Sequence, residues 1–145
     1  MSFSNSVKHV FTNYATFRGR ASRSEFWWFQ LFVLIVGLIL FFVDSATGLT
    51  VGASSEEYII GDTVVPVVSS GVGVLSSIFS LAILIPSLAV GVRRLHDSDK
   101  SGWLLLLGYI LICACGIGLI LLIILFVLKS TPGDNKYGPP APVSA

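Results

Sequence analysis

One polar stretch, residues 93–103, holds most of the side chains in this sequence that could do chemistry. It contains three cations, two carboxylates and a histidine: Arg93, Arg94, His96, Asp97, Asp99 and Lys100. A stretch that only connects two apolar segments needs far less charge. In one interpretation the aspartates and serines supply oxygens for turns and helix caps. In a second, Arg93 and Arg94 bind a phosphate or a lipid headgroup through charge-assisted hydrogen bonds.

In a third interpretation this stretch is an active site, with His96 as a base and Asp97 as the carboxylate that orients it. Adjacent residues do not share one face of a helix, so this pair would require a turn. No Ser or Cys nucleophile motif accompanies the pair. We therefore expect no enzymatic activity and no catalytic residue.

A second polar group precedes the first apolar run and contains Arg18, Arg20 and Arg23. Gly19 is placed to end a preceding helix, and Ser22 with Glu25 has the spacing of a capping box at the start of the next helix. Trp27, in the first turn of that helix, is typical of an anchor at the membrane interface. Cations at this level face the lipid phosphates, so the three arginines are candidates for binding headgroups.

The elements that must position these residues are membrane helices. Of the 145 residues, 54% are hydrophobic and 12% are charged, whereas a typical soluble domain carries about 25% charged residues. Three runs, 26–43, 72–92 and 103–128, contain no charged residue. A helix crosses the hydrocarbon core with roughly 20 apolar residues and satisfies its own backbone hydrogen bonds there. The sequence therefore predicts one all-α integral membrane domain over residues 1–145.

The distribution of Lys and Arg predicts the orientation of these helices. Four lie before the first run, none lies in the loop at residues 44–71, and three lie in the link at residues 93–102. By the positive-inside rule, the N terminus and this link are cytoplasmic and the acidic loop is outside. In that loop, the β-branched segments around Gly61 and Asp62 are compatible with a small hairpin or with a disordered loop.

The third run leaves the location of the polar tail, residues 129–145, open. As one tilted helix the run would be about 39 Å long, enough to cross the bilayer, and this length favours a third full crossing with the tail outside. Gly108, Gly116 and Gly118 could instead mark a re-entrant bend that returns the tail to the cytoplasm. Such a bend must be shielded from lipid by protein.

Residues 3–17 are predicted to form an amphipathic helix, because their aromatic and aliphatic side chains recur with the helical period. Ahead of a transmembrane segment, this pattern is typical of a helix that lies in the cytoplasmic interface of the membrane. Packing against the cytoplasmic end of the helix bundle is the alternative.

Other kinds of site are not expected. The net charge of +1 does not indicate a nucleic-acid partner. Cys113 and Cys115 point to nearly opposite sides of a helix, so a disulfide between them is not expected. No His or carboxylate lies beside them in the sequence to complete a metal site. We expect neither a metal nor a cofactor.

Three motifs occur in a characteristic order with apolar runs between them. They are residues 17–27, residues 93–97 together with 101–103, and residues 131–138. In this combination the chain resembles the small bacterial inner-membrane proteins of the "domain of unknown function 805" (DUF805) family. The resemblance implies an inner-membrane location and a helical fold, but no reaction. Relatives often carry a proline near the middle of the last run, where this chain has Cys-Ala-Cys-Gly-Ile-Gly at residues 113–118.

The resemblance also indicates which positions belong to the family motifs. They are Gly19, Arg20, Arg23, Glu25, Trp27, Arg93, Arg94, His96, Asp97, Gly102, Trp103, Gly133, Asn135 and Gly138. The first two groups of motif residues share the cytoplasmic face by the charge argument. A polar site assembled there is therefore expected, with arginines that bind an anion and Glu25 or Asp97 as their counter-charges.

The sequence thus predicts a non-enzymatic binding or accessory module of the bacterial inner membrane. Its expected ligands are anionic lipid headgroups or a membrane protein partner, which includes a second copy of the chain. The residues expected to bind them are Arg18, Arg20, Arg23, Glu25, Arg93, Arg94, His96 and Asp97. The residues expected to have structural roles are Gly19, Ser22, Trp27, Gly102, Trp103, Gly133, Asn135 and Gly138. The alternative is a small transporter or channel subunit that acts as an oligomer, but transport paths usually need charged groups within the membrane, and the three runs contain none.

Overall fold

The described part of the chain forms five helices and four short strands. The computed structural model describes residues 1–52, 54–60, 63–69 and 71–141. The helices are α1 (Phe3–Thr12), α2 (Arg23–Thr47), α3 (Val74–Asp97), α4 (Trp103–Cys115) and α5 (Ile117–Val127). The strands are β1 (Thr50–Val51), β2 (Ser54–Ile60), β3 (Thr63–Ser69) and β4 (Val72–Gly73). The chain divides into two compact units, one of Met1–Val33 with Ile83–Ala145 and the other of Leu34–Ala82.

The N-terminal helix α1 packs against the start of α2 through aromatic rings. Phe3 meets Trp28 edge to face at 5.9 Å between ring centroids, and Phe11 meets Phe29 and Phe32 at 5.9 and 5.8 Å. Edge-to-face geometry is a favoured arrangement of aromatic pairs. This contact is the bundle packing that the sequence left as an alternative to the membrane interface.

The helix α1 is shorter than the predicted segment 3–17, because it ends at Thr12. The side chain of Thr12 donates a hydrogen bond to the carbonyl of Lys8, and that of Asn13 donates one to the carbonyl of His9. Side chains that bond to the last carbonyls of a helix offer the backbone an alternative to another helical turn. Phe17 therefore lies outside the helix.

Helices α2 and α3 are each long and apolar enough to cross a membrane, as judged by length and composition. With 25 and 24 residues, they are about 38 and 36 Å long at 1.5 Å per residue. The hydroxyl of Ser22 accepts a hydrogen bond from the backbone N–H of Glu25 at 3.2 Å, which is one half of the predicted capping box. The carboxylate of Glu25 instead contacts His9 and Arg93, which lie outside α2.

The unit at Leu34–Ala82 contains the antiparallel strand pair that one interpretation of the loop predicted. Strands β2 and β3 pair with Ser54 opposite Ser69 and Ile60 opposite Thr63, and β1 pairs with β4. The predicted turn residues, Gly61 and Asp62, lie outside the described residues.

Asp44 joins two helices within this unit. Its carboxylate accepts hydrogen bonds from the backbone N–H groups of Leu75 and Ser76 at 3.0 and 2.9 Å and from the Ser76 hydroxyl at 2.8 Å. A carboxylate in this position satisfies donors that the first turn of α3 leaves unpaired. A Cβ at Gly73 would overlap the Asp44 carboxylate, so this cap requires glycine there.

The third apolar run does not form the single helix over residues 103–128 that its length favoured. It breaks at Gly116, which adopts a left-handed conformation (φ = 73°) between α4 and α5. The two helices fold back on each other so closely that a Cβ at Gly118 would overlap the backbone of Gly108 and Leu111. The glycines therefore mark a bend. At 13 and 11 residues, neither helix alone reaches the roughly 20 residues that cross a bilayer.

Candidate functional site

Asp97, the last residue of α3, is the centre of a buried polar cluster. Its carboxylate accepts hydrogen bonds from Nε of Arg20 at 2.9 Å and from Nη1 of Arg94 at 2.6 Å, and also from the hydroxyl of Ser130. Its backbone carbonyl accepts one from the N–H of Thr131 at 2.9 Å. Asp97 thus joins the segment before α2, the end of α3 and the tail. We call Arg20, Arg94, Asp97, Ser130 and Thr131 the Asp97 cluster.

Arg20 ties the tail to the segment between α1 and α2. Besides Asp97, its guanidinium donates to the carbonyls of Gly133 at 2.6 Å and Thr131 at 2.7 Å. The Arg20 side chain is 1% exposed. The planar guanidinium of arginine has several N–H donors that reach all of these acceptors, whereas the single ammonium group of a lysine would not.

Arg94 binds the end of α5. Its Nε donates to the carbonyl of Phe126 at 3.0 Å, and its Nη2 donates to the carbonyl of Leu128. The last carbonyls of a helix are unpaired and carry partial negative charge, so a buried guanidinium satisfies them. Two guanidinium groups surround one carboxylate in the Asp97 cluster, and these carbonyls offset part of the excess positive charge.

A second buried group links α1, α2 and α3. Oε1 of Glu25 lies 3.0 Å from Nδ1 of His9 and 3.1 Å from Nη1 of Arg93. Glu25 is fully buried, and the Arg93 side chain is 3% exposed. Oε2 of Glu25 and both Nε and Nη2 of Arg93 have no hydrogen-bond partner among the described residues. This pair holds α1 and α3 against the start of α2.

The tail is built from the third sequence motif and is attached to the end of α3. The side-chain amide of Asn135 donates to the carbonyl of His96 and to the hydroxyl of Thr131, both at 2.9 Å. The Tyr137 ring stacks on the His96 ring at 3.7 Å with 7° between the planes. Gly133 (φ = 70°) and Gly138 (φ = 119°) have backbone conformations that favour glycine. Asn135 and the two glycines therefore shape the tail and attach it to the end of α3.

The residues predicted to bind a ligand fall into two groups in the structure. Five are buried and pair within the chain: Arg20, Glu25, Arg93, Arg94 and Asp97. His96 is half-buried under Tyr137, whereas Arg18 and Arg23 are exposed and form no ion pair within the described part of the chain. The two exposed arginines thus lie near the start of α2, whereas Arg93 and Arg94 of the densest motif are buried.

The remaining residues predicted to have structural roles lie at the termini of helices or in turns. Gly19 has a positive φ of 86°, and Ser22 caps α2. A Cβ at Gly102 would lie 2.8 Å from a Val92 methyl group, so a larger residue at the turn into α4 would force the Val92 side chain to move. Trp27 and Trp103 have large exposed surfaces, as expected of interfacial rings.

Ser130 and Thr131 are members of the Asp97 cluster that sequence reasoning missed. Thr131 is the first residue of the third motif, residues 131–138, and nothing in the sequence distinguishes Ser130 from any polar residue that follows a helix. Only their contact with Asp97 reveals their part in the cluster.

A surface groove adjoins the exposed cations. It has a volume of about 530 Å³ and is lined by the apolar residues Ile123, Ile124, Val127 and Leu128 with Arg23 and Lys129. We call it the α5 groove. Both cations are exposed. An apolar surface with cations beside it is chemically suited to an acyl chain that carries an anionic headgroup.

Comparison with known proteins now decides the family, because the sequence matches the family described as "Protein of unknown function (DUF805)" over residues 14–139. The chain belongs to the DUF805 family. The match includes every residue of the Asp97 cluster and the whole α5 groove. It begins after His9, so the contact between His9 and Glu25 reaches beyond the matched region.

Two DUF805 relatives from Escherichia coli K12 are similar over nearly their whole length. The inner membrane protein YhaH is 34% identical over 130 residues, which is 90% of each chain. The inner membrane protein YhaI is 35% identical over 129 residues, 89% of this chain and 88% of that protein. No solved structure is significantly similar to this chain. The relatives are inner membrane proteins and the chain has two long apolar helices, which agrees with the predicted membrane class. The fold is mostly helical and not all-α as predicted, because residues between α2 and α3 pair as strands β1–β4.

Proposed function

We propose that this DUF805 protein is a multi-pass, non-enzymatic module of the bacterial inner membrane that binds anionic lipid headgroups at its cytoplasmic face. The observation that carries the proposal is the pair of exposed cations, Arg23 and Lys129, at the apolar α5 groove. A phosphate placed between them would receive charge-assisted hydrogen bonds. An acyl chain of the same lipid would lie on Ile123, Ile124 and Val127.

In the proposed topology α2 and α3 cross the membrane, and α4 with α5 enters and leaves on the cytoplasmic side. The Lys and Arg counts support a cytoplasmic N terminus. The hydrogen bonds from Arg20 to Asp97, Thr131 and Gly133 support a tail on that same side. Groups joined by hydrogen bonds cannot be separated by a bilayer.

The buried arginines have a positioning role in this proposal. Lys129 lies between Leu128, whose carbonyl binds Arg94, and Ser130, whose hydroxyl binds Asp97. Its backbone is therefore held on both sides. Arg23 follows Ser22, the cap of α2. When they bind a ligand, side chains on a fixed backbone lose less conformational entropy than side chains on a mobile backbone, because the backbone is already ordered.

The test is the stability of the purified protein in neutral detergent during titration with an anionic or a zwitterionic phospholipid. A ligand that binds only the folded state raises stability with its concentration, by about 2.7 kcal/mol at a hundredfold excess over Kd. We expect this increase with the anionic lipid. Arg23→Gln combined with Lys129→Gln should weaken the apparent affinity about tenfold or more, because each charge-assisted bond contributes about 1.5–3 kcal/mol.

Lys8→Gln combined with Lys100→Gln is the matched control, since it removes the same charge from two other exposed lysines. The control should keep the response to the anionic lipid. Equal stabilisation by both lipids, or equal losses in both double variants, would mean that the α5 groove does not select a headgroup. A protein partner would then become the better explanation of the exposed cations.

A further inference from the structure

A second cavity shares no lining residue with the α5 groove and differs from it in chemistry. Its volume is about 610 Å³, and the lining comes from Phe17, from α3, from the turn into α4, from α4 itself and from Tyr137. We call it the α3–α4 cavity. Mostly apolar cavities of 300–1,000 Å³ with a few polar groups are typical of small-molecule sites.

The lining has two parts. Leu88, Val92, Leu105 and Leu106 form an aliphatic wall on α3 and α4. The rings of Phe17, His96, Trp103, Tyr109 and Tyr137 also line the cavity. Five rings in one lining favour a flat ring as the occupant. Offset-stacked or edge-to-face contacts between the ligand ring and these side chains add to the energy of burial.

Charge is the feature that separates the two cavities. None of the described residues that line the α3–α4 cavity is Lys, Arg, Asp or Glu. A phosphate there would lose its hydration without a counter-ion, which is strongly unfavourable. The occupant is therefore expected to be uncharged, in contrast to the ligand of the α5 groove.

The cavity nevertheless offers hydrogen-bond donors. The hydroxyl groups of Tyr109 and Tyr137 have no hydrogen-bond partner among the described residues, and Ser101 also lines the cavity. Tyr109 lies six residues into α4, about 9 Å along the helix axis from Trp103. A hydroxyl at such an apolar position gains from an acceptor supplied by a ligand.

We infer that the α3–α4 cavity binds a lipid-soluble quinone, that is, a flat uncharged ring with carbonyl acceptors on an apolar tail. The ring lies among the aromatic side chains, a tyrosine hydroxyl donates to a carbonyl oxygen, and the tail follows the aliphatic wall into the membrane. The inference does not depend on the proposed headgroup site, because the two cavities share no residue.

Trp103 provides a direct assay, because quinones quench tryptophan fluorescence on contact. The chain has three tryptophans, so Trp27→Phe with Trp28→Phe leaves Trp103 as the reporter in the cavity. Trp27→Phe with Trp103→Phe leaves Trp28, which contacts Phe3 and does not line the cavity. With decylubiquinone in detergent, we expect saturable quenching of Trp103 and only linear quenching of Trp28.

Variants in the cavity identify the site. Leu106→Phe puts a larger side chain into the lining and should weaken decylubiquinone binding about tenfold. Leu107→Phe makes the same change at an exposed neighbour that does not line the cavity, and it should leave affinity within about twofold. Tyr109→Phe removes one donor and should weaken binding about fivefold.

Three results would overturn the inference. Linear quenching of both reporters would mean that decylubiquinone only partitions into the detergent. Equal effects of Leu106→Phe and Leu107→Phe would place the binding site elsewhere. Displacement of decylubiquinone by an equal concentration of a neutral monoacylglycerol would show that the cavity accepts any apolar chain. None of these results bears on stabilisation by an anionic phospholipid, so the two proposals fail independently.

Discussion

Asp97 accepts hydrogen bonds from three side chains that come from three separate parts of the sequence. Two of these side chains are arginines, and all the ionic groups are buried. A buried ion pair is weak evidence of net stability, because the loss of hydration offsets the attraction. Removal of one partner is strongly destabilising, because it leaves the charge of the other partner buried without a counter-ion.

The first prediction follows from this asymmetry. Asp97→Asn keeps the size of the side chain but leaves Arg20 and Arg94 without their counter-charge. It should lower the free energy of unfolding by about 3–5 kcal/mol. The measurement is unfolding of the purified protein in mild detergent, followed by circular dichroism.

Asp134→Asn is the control for this prediction. Asp134 is also in the tail but is exposed and forms no ion pair within the described residues. Its neutralisation should change stability by less than about 0.5 kcal/mol. Comparable losses in the two variants would mean that the Asp97 cluster does not hold the tail in place.

At the scale of elements, the bend between α4 and α5 depends on small residues. A Cβ at Gly118 would overlap the backbone of α4, and a Cβ at Gly108 would overlap the Leu122 side chain. Glycine lets two helix backbones approach closely, which is a common basis of helix association in membranes. Gly116 completes the bend because its positive φ favours glycine.

We therefore predict that Gly118→Ala destabilises the α4–α5 pair. Overpacking of a close contact costs about 1–3 kcal/mol, and here the obstacle is backbone, which cannot rotate away. The expected result is a lower melting temperature in detergent. Gly37→Ala is the reference, since its Cβ would meet nothing within 4 Å in α2. A replacement of glycine by alanine within a helix should be neutral or should stabilise the protein by up to about 1 kcal/mol. Equal melting temperatures for the two variants would contradict the close packing of α4 and α5.

At the scale of the whole molecule, the proposed number of membrane crossings rests on the contact between the tail and α3. Its groups come from residues up to 113 positions apart in the chain. A tail in hydrogen-bond contact with Asp97 shares the compartment of the link at residues 93–102. In the proposed topology, the third apolar run therefore returns to the side of the membrane from which it starts.

The corresponding prediction concerns cysteine accessibility in cells. In a background with Cys113→Ala and Cys115→Ala, Ser4→Cys and Pro140→Cys should react with an impermeant thiol reagent only after the cells are opened. Val51→Cys in the exposed strand β1 should react in intact cells. Labelling of Pro140→Cys in intact cells would place the tail outside and would contradict the proposed topology.

Local patterns in the sequence predicted much of the fold. Charge-free runs indicated the apolar helices, the spacing of Ser22 and Glu25 indicated the start of α2, and the β-branched segments around Gly61 and Asp62 allowed the strand pair. These features depend on residues that are close in sequence, so periodicity and propensity reveal them. The family motifs likewise marked most of the buried polar residues.

Only the tertiary structure determined how the third run folds and which arginines remain exposed. Length favoured one helix over residues 103–128, but the fit of Gly108 and Gly118 between α4 and α5 made the bend the better packed arrangement. Likewise, charge alone does not distinguish Arg20 from Arg23. Arg20 differs from Arg23 because it is buried against Asp97 and the carbonyls of the tail, whose residues lie up to 113 positions away in the chain. A sequence records the type of each side chain, whereas its hydrogen-bond partners are determined when distant segments pack together.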